Sequence, residues 1–130
     1  MAKEIRIVTL TPGQQVPAGS TGIGYDGGIM WEGEAGTFPA GYTSTVMSIA
    51  DYRTYKKDII REAANEIILT AYPLWYQSNV ALGVYASTIG DPMKTHITNI
   101  IEESNDCEDD IDSAATIEAV QAVTPTWPEE

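Results

Sequence analysis

The chain has 130 residues, the length of a single domain, with 43% hydrophobic residues and a formal net charge of −12. From residue 95 onward it carries ten acidic residues and no lysine or arginine. The negative electrostatic field of these residues repels phosphate and anionic lipid, so neither nucleic acid nor a membrane surface is expected as a partner.

The first 47 residues predict a small β-rich, glycine-rich segment. Residues 4–10 alternate polar and apolar side chains at their start and are rich in β-branched residues, which indicates a strand. Residues 19–41 hold most of the glycines, and short apolar runs among them indicate further small strands or ordered loops.

Residues 22–27 carry the G-x-G-x-x-G spacing of dinucleotide-binding loops, through Gly22, Gly24 and Gly27. That motif binds a cofactor only where it joins a strand to a helix. More glycines follow here, so we predict a turn or hairpin and no cofactor.

A helical domain is expected over residues 48–124. Ser48 can cap a helix whose apolar residues then recur at helical spacing, and Pro73 should end it because proline disfavours helical geometry in the residue before it. A second helix is expected to begin at Pro73 or Leu74.

Asp91 followed by Pro92 is typical of the start of a third helix, which we expect the acidic run 102–112 to end. A short fourth helix is expected around Thr116–Val123, capped by Thr116 or Asp112. Residues 125–130 should form an extended acidic tail. The predicted fold class is therefore α+β, with a β-rich N-terminal part followed by a helical part.

Few residues of the chain are of the types that usually take part in catalysis or metal binding. His96 and Cys107 are the only histidine and cysteine, and eleven residues of one helix would separate them by about 16 Å. The run 106–112 lacks the glycine and glutamate spacing of a calcium-binding EF-hand loop. We therefore expect no enzyme, no metal and no cofactor.

The expected location is a cytoplasm. The N-terminus has no apolar run typical of a signal peptide, and a lone cysteine fits a reducing compartment. The uncharged residues 67–90 have the length of a membrane span, but Pro73, Gln77 and Asn79 near their centre argue against one.

The stretch between Glu66 and Asp91 contains no charged residue, and aromatic and amide side chains lie at its centre. An uncharged aromatic surface is typical of a protein-binding interface. Trp31 and Tyr85 are further candidate recognition aromatics, although each also fits an ordinary core. The predicted partner-binding residues are Trp75, Tyr76, Gln77, Asn79 and Trp127.

Two segments resemble small accessory proteins that tailed bacteriophages encode near their tail-fibre genes. In residues 53–79 a basic helix precedes Tyr72-Pro73-x-Trp75-x-Gln77-x-Asn79, and residues 111–128 have a short closing helix followed by Trp127-Pro128. The resemblance implies a tail-fibre assembly chaperone, or a fibre-associated protein, acting in the host cytoplasm. It implies that Trp75, Gln77 and Asn79 form the core of the signature, which Trp127 and Pro128 close.

The partner implied is a trimeric, β-rich phage tail-fibre protein, and both self-association of the chain and its retention in the virion tail remain open. A permanent virion component, such as a capsid decoration or a tail or baseplate protein, is the alternative function. An acidic DNA mimic is a third, although its acids would be spaced along a surface instead of clustered at one end.

Overall fold

The computed structural model describes residues 2–23 and 28–129, and over these residues it has four strands followed by four helices. The strands are β1 (Lys3–Thr9), β2 (Ser20–Ile23), β3 (Ile29–Glu34) and β4 (Thr43–Val46). The helices are α1 (Ile49–Ala71), α2 (Leu74–Ala81), α3 (Ser87–Ser113) and α4 (Ile117–Ala122). The fold is α+β, which confirms the predicted class.

The strands form one antiparallel sheet in the order β2-β3-β1-β4. In β1, Ile5 lies opposite Glu32 of β3 and Ile7 lies opposite Thr45 of β4. The strand predicted over residues 4–10 is thus confirmed with a shift of one residue. Neither of the two short edge strands, β2 and β4, was predicted individually.

A strand, β3, follows the glycine-rich spacing of residues 22–27. A dinucleotide-binding loop requires a helix there, so the structure lacks the context in which that motif binds a cofactor. Of the turn or hairpin predicted over residues 22–27, Gly22 and Ile23 belong to β2, and residues 24–27 lie outside the described residues.

The chain divides into two compact units. The first comprises Met1–Tyr55 and Ala114–Ala122, and the second comprises Lys56–Ser113 and Val123–Glu130. Helix α4 belongs with the sheet because the Lys3 amide donates to the Glu118 carboxylate and the Lys3 ammonium donates to Gln121 Oε1 at 3.0 Å.

Helix α1 begins and ends where the sequence predicts. Ser48 Oγ accepts a hydrogen bond from the Asp51 amide at 3.1 Å, which satisfies a backbone donor of the first turn. The helix ends at Ala71, two residues before Pro73. Helix α2 then begins at Leu74, which is also as predicted.

Helix α3 differs from prediction at both ends. It begins at Ser87, so Pro92 lies inside it, and the prediction that Asp91 and Pro92 start the helix is wrong. Its first turn forms because the amides of Ile89 and Gly90 both donate to the carbonyl of Ala86.

The prediction that the acidic run 102–112 ends this helix is also wrong, because α3 continues to Ser113. Small and apolar side chains keep helical spacing through the run and are buried. Cations of α1 also offset part of its charge: Lys57 pairs with Asp112 at 2.5 Å, and Arg61 pairs with Glu108. The buried positions are Ile100, Ser104, Cys107 and Ile111.

The fourth predicted helix is confirmed as α4, one residue shorter at each end. Of the two proposed caps, Thr116 is the one used, since its Oγ accepts from the Ala119 amide at 3.1 Å. No helix in the described part of the chain is both long and apolar enough to cross a membrane.

Candidate functional site

Helix α2 is a short helix with defined ends. The carbonyl of Pro73 accepts from the amides of Tyr76 and Gln77, which starts the helix. At the other end Gly83 has φ +75°, its amide donates to the Val80 carbonyl, and the amide of Val84 donates to the Asn79 carbonyl. This is a Schellman motif, which a glycine in the left-handed conformation permits.

The apolar side chains on and after α2 are exposed. Leu74 is 68% exposed, Trp75 62%, Leu82 78% and Val84 64%, and no residue of α2 is buried. We call these four side chains the α2 surface. Large apolar side chains exposed together mark an interaction site more often than isolated ones do.

An aromatic cluster supports the α2 surface from within the same unit. The ring of Tyr76 meets those of Trp75 at 5.8 Å, Tyr72 at 5.4 Å and Tyr85 at 5.2 Å between centroids. Such edge-to-face and tilted contacts are the geometries that aromatic pairs prefer. Tyr76 is half-buried and therefore positions Trp75, which is the exposed member.

The two amides of the signature use their donors inside the chain. Gln77 Nε2 donates to the Tyr72 carbonyl at 2.7 Å, just beyond the end of α1. Asn79 Nδ2 donates to Tyr85 Oη at 3.3 Å. Within the described residues the carbonyl oxygens of both amides accept no hydrogen bond, so each can still accept one from a partner.

Trp127 is separate from α2 in sequence and lies in residues 123–129, which form no helix or strand. Its side chain is half-buried. The following residues line clefts beside α1 and α3: Pro128 lies with Ile67 and Ala71, and Glu129 lies with Asp91. The structure therefore groups four of the five predicted residues on α2, with the fifth in the tail.

Of the other candidate aromatics, Trp31 is core and Tyr85 belongs to the aromatic cluster. Trp31 is 4% exposed, its Nε1 donates to the Ala18 carbonyl at 2.8 Å, and its ring packs edge-to-face on Phe38. It is therefore not a surface recognition residue.

The structure gives the surroundings of the one cysteine and of the acidic side chains. Cys107 is buried, and burial raises the pKa of its thiol to about 11, with a contribution from the nearby Glu103 carboxylate. A thiol with such a pKa is a poor nucleophile near neutral pH. Within residues 2–23 and 28–129, no three histidine, cysteine, aspartate or glutamate side chains are grouped to hold a metal ion.

Sequence reasoning missed part of the α2 surface. Leu74, Leu82 and Val84 were not named as candidates, although they lie in the uncharged stretch that indicated the site. The sequence feature that could have indicated them is Gly83. A glycine after a helix predicts a C-terminal cap, which leaves the neighbouring Leu82 and Val84 outside the helix.

Comparisons with protein-family models, with curated proteins and with solved structures find no match to this chain.

Proposed function

We propose that this chain is a non-enzymatic protein that binds a phage tail fibre through the α2 surface and helps to assemble or complete it. The observation that carries the proposal is the exposure of Leu74, Trp75, Leu82 and Val84 around a helix with no buried residue. Burial of the exposed part of Trp75 alone would contribute about 2–3 kcal/mol to binding.

The rigidity of the α2 surface supports a binding role. Tyr76 holds the Trp75 ring, and the Schellman motif at Gly83 sets the direction in which Val84 leaves the helix. A side chain that is already ordered loses less conformational entropy when a partner covers it. Trp75 is thus suited to be the central anchor of an interface.

The tail fibre is proposed as the partner from the sequence signature of residues 72–79 and 111–128. Nascent chains of β-rich trimers expose unpaired strand edges, which aggregate unless they are covered. The carbonyl oxygens of Gln77 and Asn79 are available to accept from backbone amides at such an edge. This binding takes place in the host cytoplasm during assembly.

Co-expression with the long fibre-like product of the neighbouring gene tests this proposal, with size-exclusion chromatography and light scattering as the measurement. We expect a stable complex and a fibre whose solubility depends on this chain. Absence of a complex, together with a fibre that is soluble alone, would contradict the proposal.

Two variants locate the binding surface. Trp75→Ala should weaken the complex at least tenfold, since tryptophan is a frequent hot-spot residue. Ile101→Ala is the matched control, because Ile101 is an exposed apolar residue, at 47%, on α3 and outside the α2 surface. Equal affinity of both variants would remove Trp75 from the interface.

The amount of this chain in purified phage particles distinguishes an assembly protein from a permanent virion component. An assembly protein is absent from the particles or present in traces, whereas a decoration, tail or baseplate component is present in fixed stoichiometry.

A further inference from the structure

We propose that a cleft around His96, in the second unit, binds the guanidinium group of an arginine side chain from a partner protein. This inference goes beyond the proposed function and does not depend on it, because no residue of α2 lines the cleft.

His96 is a buried polar side chain that makes no hydrogen bond with the residues the structure describes. It is 7% exposed, and its ring meets Tyr72 edge-on at 6.0 Å between centroids. Neither ring nitrogen makes a hydrogen bond to any described residue. The ring nitrogens are not among the fully enclosed polar atoms, so they can be reached from solvent, where a donor or acceptor of a partner can meet them.

Two openings border His96. One, of about 460 Å³, lies beside Pro92 and Asn99, and the other, of about 560 Å³, lies beside Ile67 and Pro128. Both are also lined by Glu129, and we call them together the His96 cleft. Their size falls in the range of small-ligand sites, and mainly apolar walls suit the methylene stem of a long side chain.

The charges at the mouth of the cleft select a cation. Asp91, Glu129 and Glu66 each line one or both openings. None of the three makes an ion pair or a side-chain hydrogen bond with a described residue. Each opening is thus lined by two such carboxylates, with Glu129 shared between them, and these attract a positive charge and repel an anion.

Arginine fits this cleft better than lysine or a metal ion. Its flat guanidinium has five donors, so it can bond to more than one carboxylate at once, and it is more weakly hydrated than an ammonium group. A metal ion needs several ligands at short range, and the described residues provide no such group of three.

The test uses the fact that His96 is the only histidine, so its imidazole proton resonances report on this cleft alone. N-acetyl-arginine amide is titrated into the full-length protein, with the N-acetyl amides of citrulline and lysine as controls. Citrulline has the same shape as arginine but no charge. We expect a saturable shift with arginine and at least tenfold weaker binding of both controls.

The double variant Asp91→Asn, Glu129→Gln should lower the affinity for N-acetyl-arginine amide at least tenfold while leaving circular dichroism unchanged. In His96→Phe, which keeps the ring contact with Tyr72, the backbone amide resonances of Thr95 and Asn99 should no longer respond. Trp75→Ala should respond as the unaltered chain does, which separates this cleft from the α2 surface.

Three results would overturn the proposal. They are the absence of a saturable shift with arginine up to its solubility limit, an equal or larger response to citrulline or lysine, and saturable binding of Zn²⁺ at His96 without a response to arginine.

Discussion

Two of the three tryptophans have very different surroundings. Trp31 is 4% exposed and bonded through its indole N–H, whereas Trp75 is 62% exposed and its ring meets that of Tyr76. The two exposures differ with the element that holds each residue. Trp31 lies in strand β3, and Trp75 lies in helix α2, which buries none of its residues. Only the first contributes strongly to folding.

We predict that Trp31→Ala lowers the free energy of unfolding by about 3–5 kcal/mol, because it leaves a cavity in the core. Trp75→Ala should change it by no more than about 0.5 kcal/mol, as is usual for an exposed site. Urea denaturation followed by circular dichroism measures both. A large loss of stability in Trp75→Ala would mean that the ring is needed for folding and could not be read as a binding anchor.

The Cys107 thiol should be nearly inert in the folded protein. Its pKa is raised to about 11 by burial, so little thiolate forms at about pH 8 and reagents cannot reach it. We expect reaction with a maleimide to be slow and to accelerate when urea unfolds the chain. The control is Thr98→Cys in a Cys107→Ala background, because Thr98 is exposed on the same helix. Its thiol should react rapidly. Equal reaction rates for the folded control and the folded unaltered chain would contradict the burial of Cys107.

Among the elements, α2 depends on the glycine that follows it. Gly83 has φ +75°, and a Cβ there would meet no atom within 4 Å, so a substitution is costly only through backbone conformation. Gly83→Ala should therefore destabilise the chain by about 1–2 kcal/mol. Gly83→Asn, which tolerates this conformation better, should cost less, and equal losses for both would point to a steric cause.

Helix α4 and the sheet are joined through Lys3, which contacts Glu32, Glu118 and Gln121. The hydrogen bond from Lys3 lowers the pKa of Glu32 from 4.5, and the same bond raises that of Lys3 from 10.5. The stabilisation from Glu32 is therefore complete above its unfolded pKa and is lost as the pH falls through its folded pKa.

We predict that Glu32→Gln lowers the urea midpoint at about pH 7 and that this effect disappears once the pH has fallen below the folded pKa of Glu32, where the carboxyl is protonated in both states. For Lys3 the sign is opposite: its contribution is lost as the pH rises above its folded pKa. An effect of Glu32→Gln that persists unchanged in acid would show that the charge of Glu32 is not what stabilises this contact.

The sequence predicted elements wherever one local signal dominated. Ser48 and Pro73 bound α1, and both signals act within one turn of the helix. The prediction for the C-terminal end of α3 was wrong because that end depends on packing: Ile111 is fully buried, and Lys57 offsets Asp112 from another helix. Edge strands such as β4 are short and polar, so they carry little periodicity of their own.

In the candidate site, too, features set by local sequence could be predicted and features set by packing could not. The uncharged stretch that contains Trp75 was visible in the sequence, and Trp75 is exposed in the structure. The internal bonds of Gln77 and Asn79 were not visible, since each depends on where a tyrosine of the fold lies. The unpaired ring of His96 could not be inferred either, because it follows from three segments that meet around it.

At the scale of the whole molecule, charge and apolar surface are separated. The acidic residues concentrate after residue 95, whereas α2 and its flanks carry no charge. The acidic part disfavours association between copies and attracts basic partners, while the neutral α2 surface avoids the desolvation cost of buried charges. This arrangement fits the function proposed above, in which the chain covers another protein without aggregating itself.

Hydrogen–deuterium exchange of the complex with the fibre protein tests whether the α2 surface is the one that binds. It locates the covered surface without altering a residue. We predict that amides of residues 74–84 are protected in the complex, while those of the exposed acidic face of α3 exchange as they do in the free chain. A stable complex in which residues 74–84 exchange at the rate of the free chain would contradict the assignment of α2 as the binding surface.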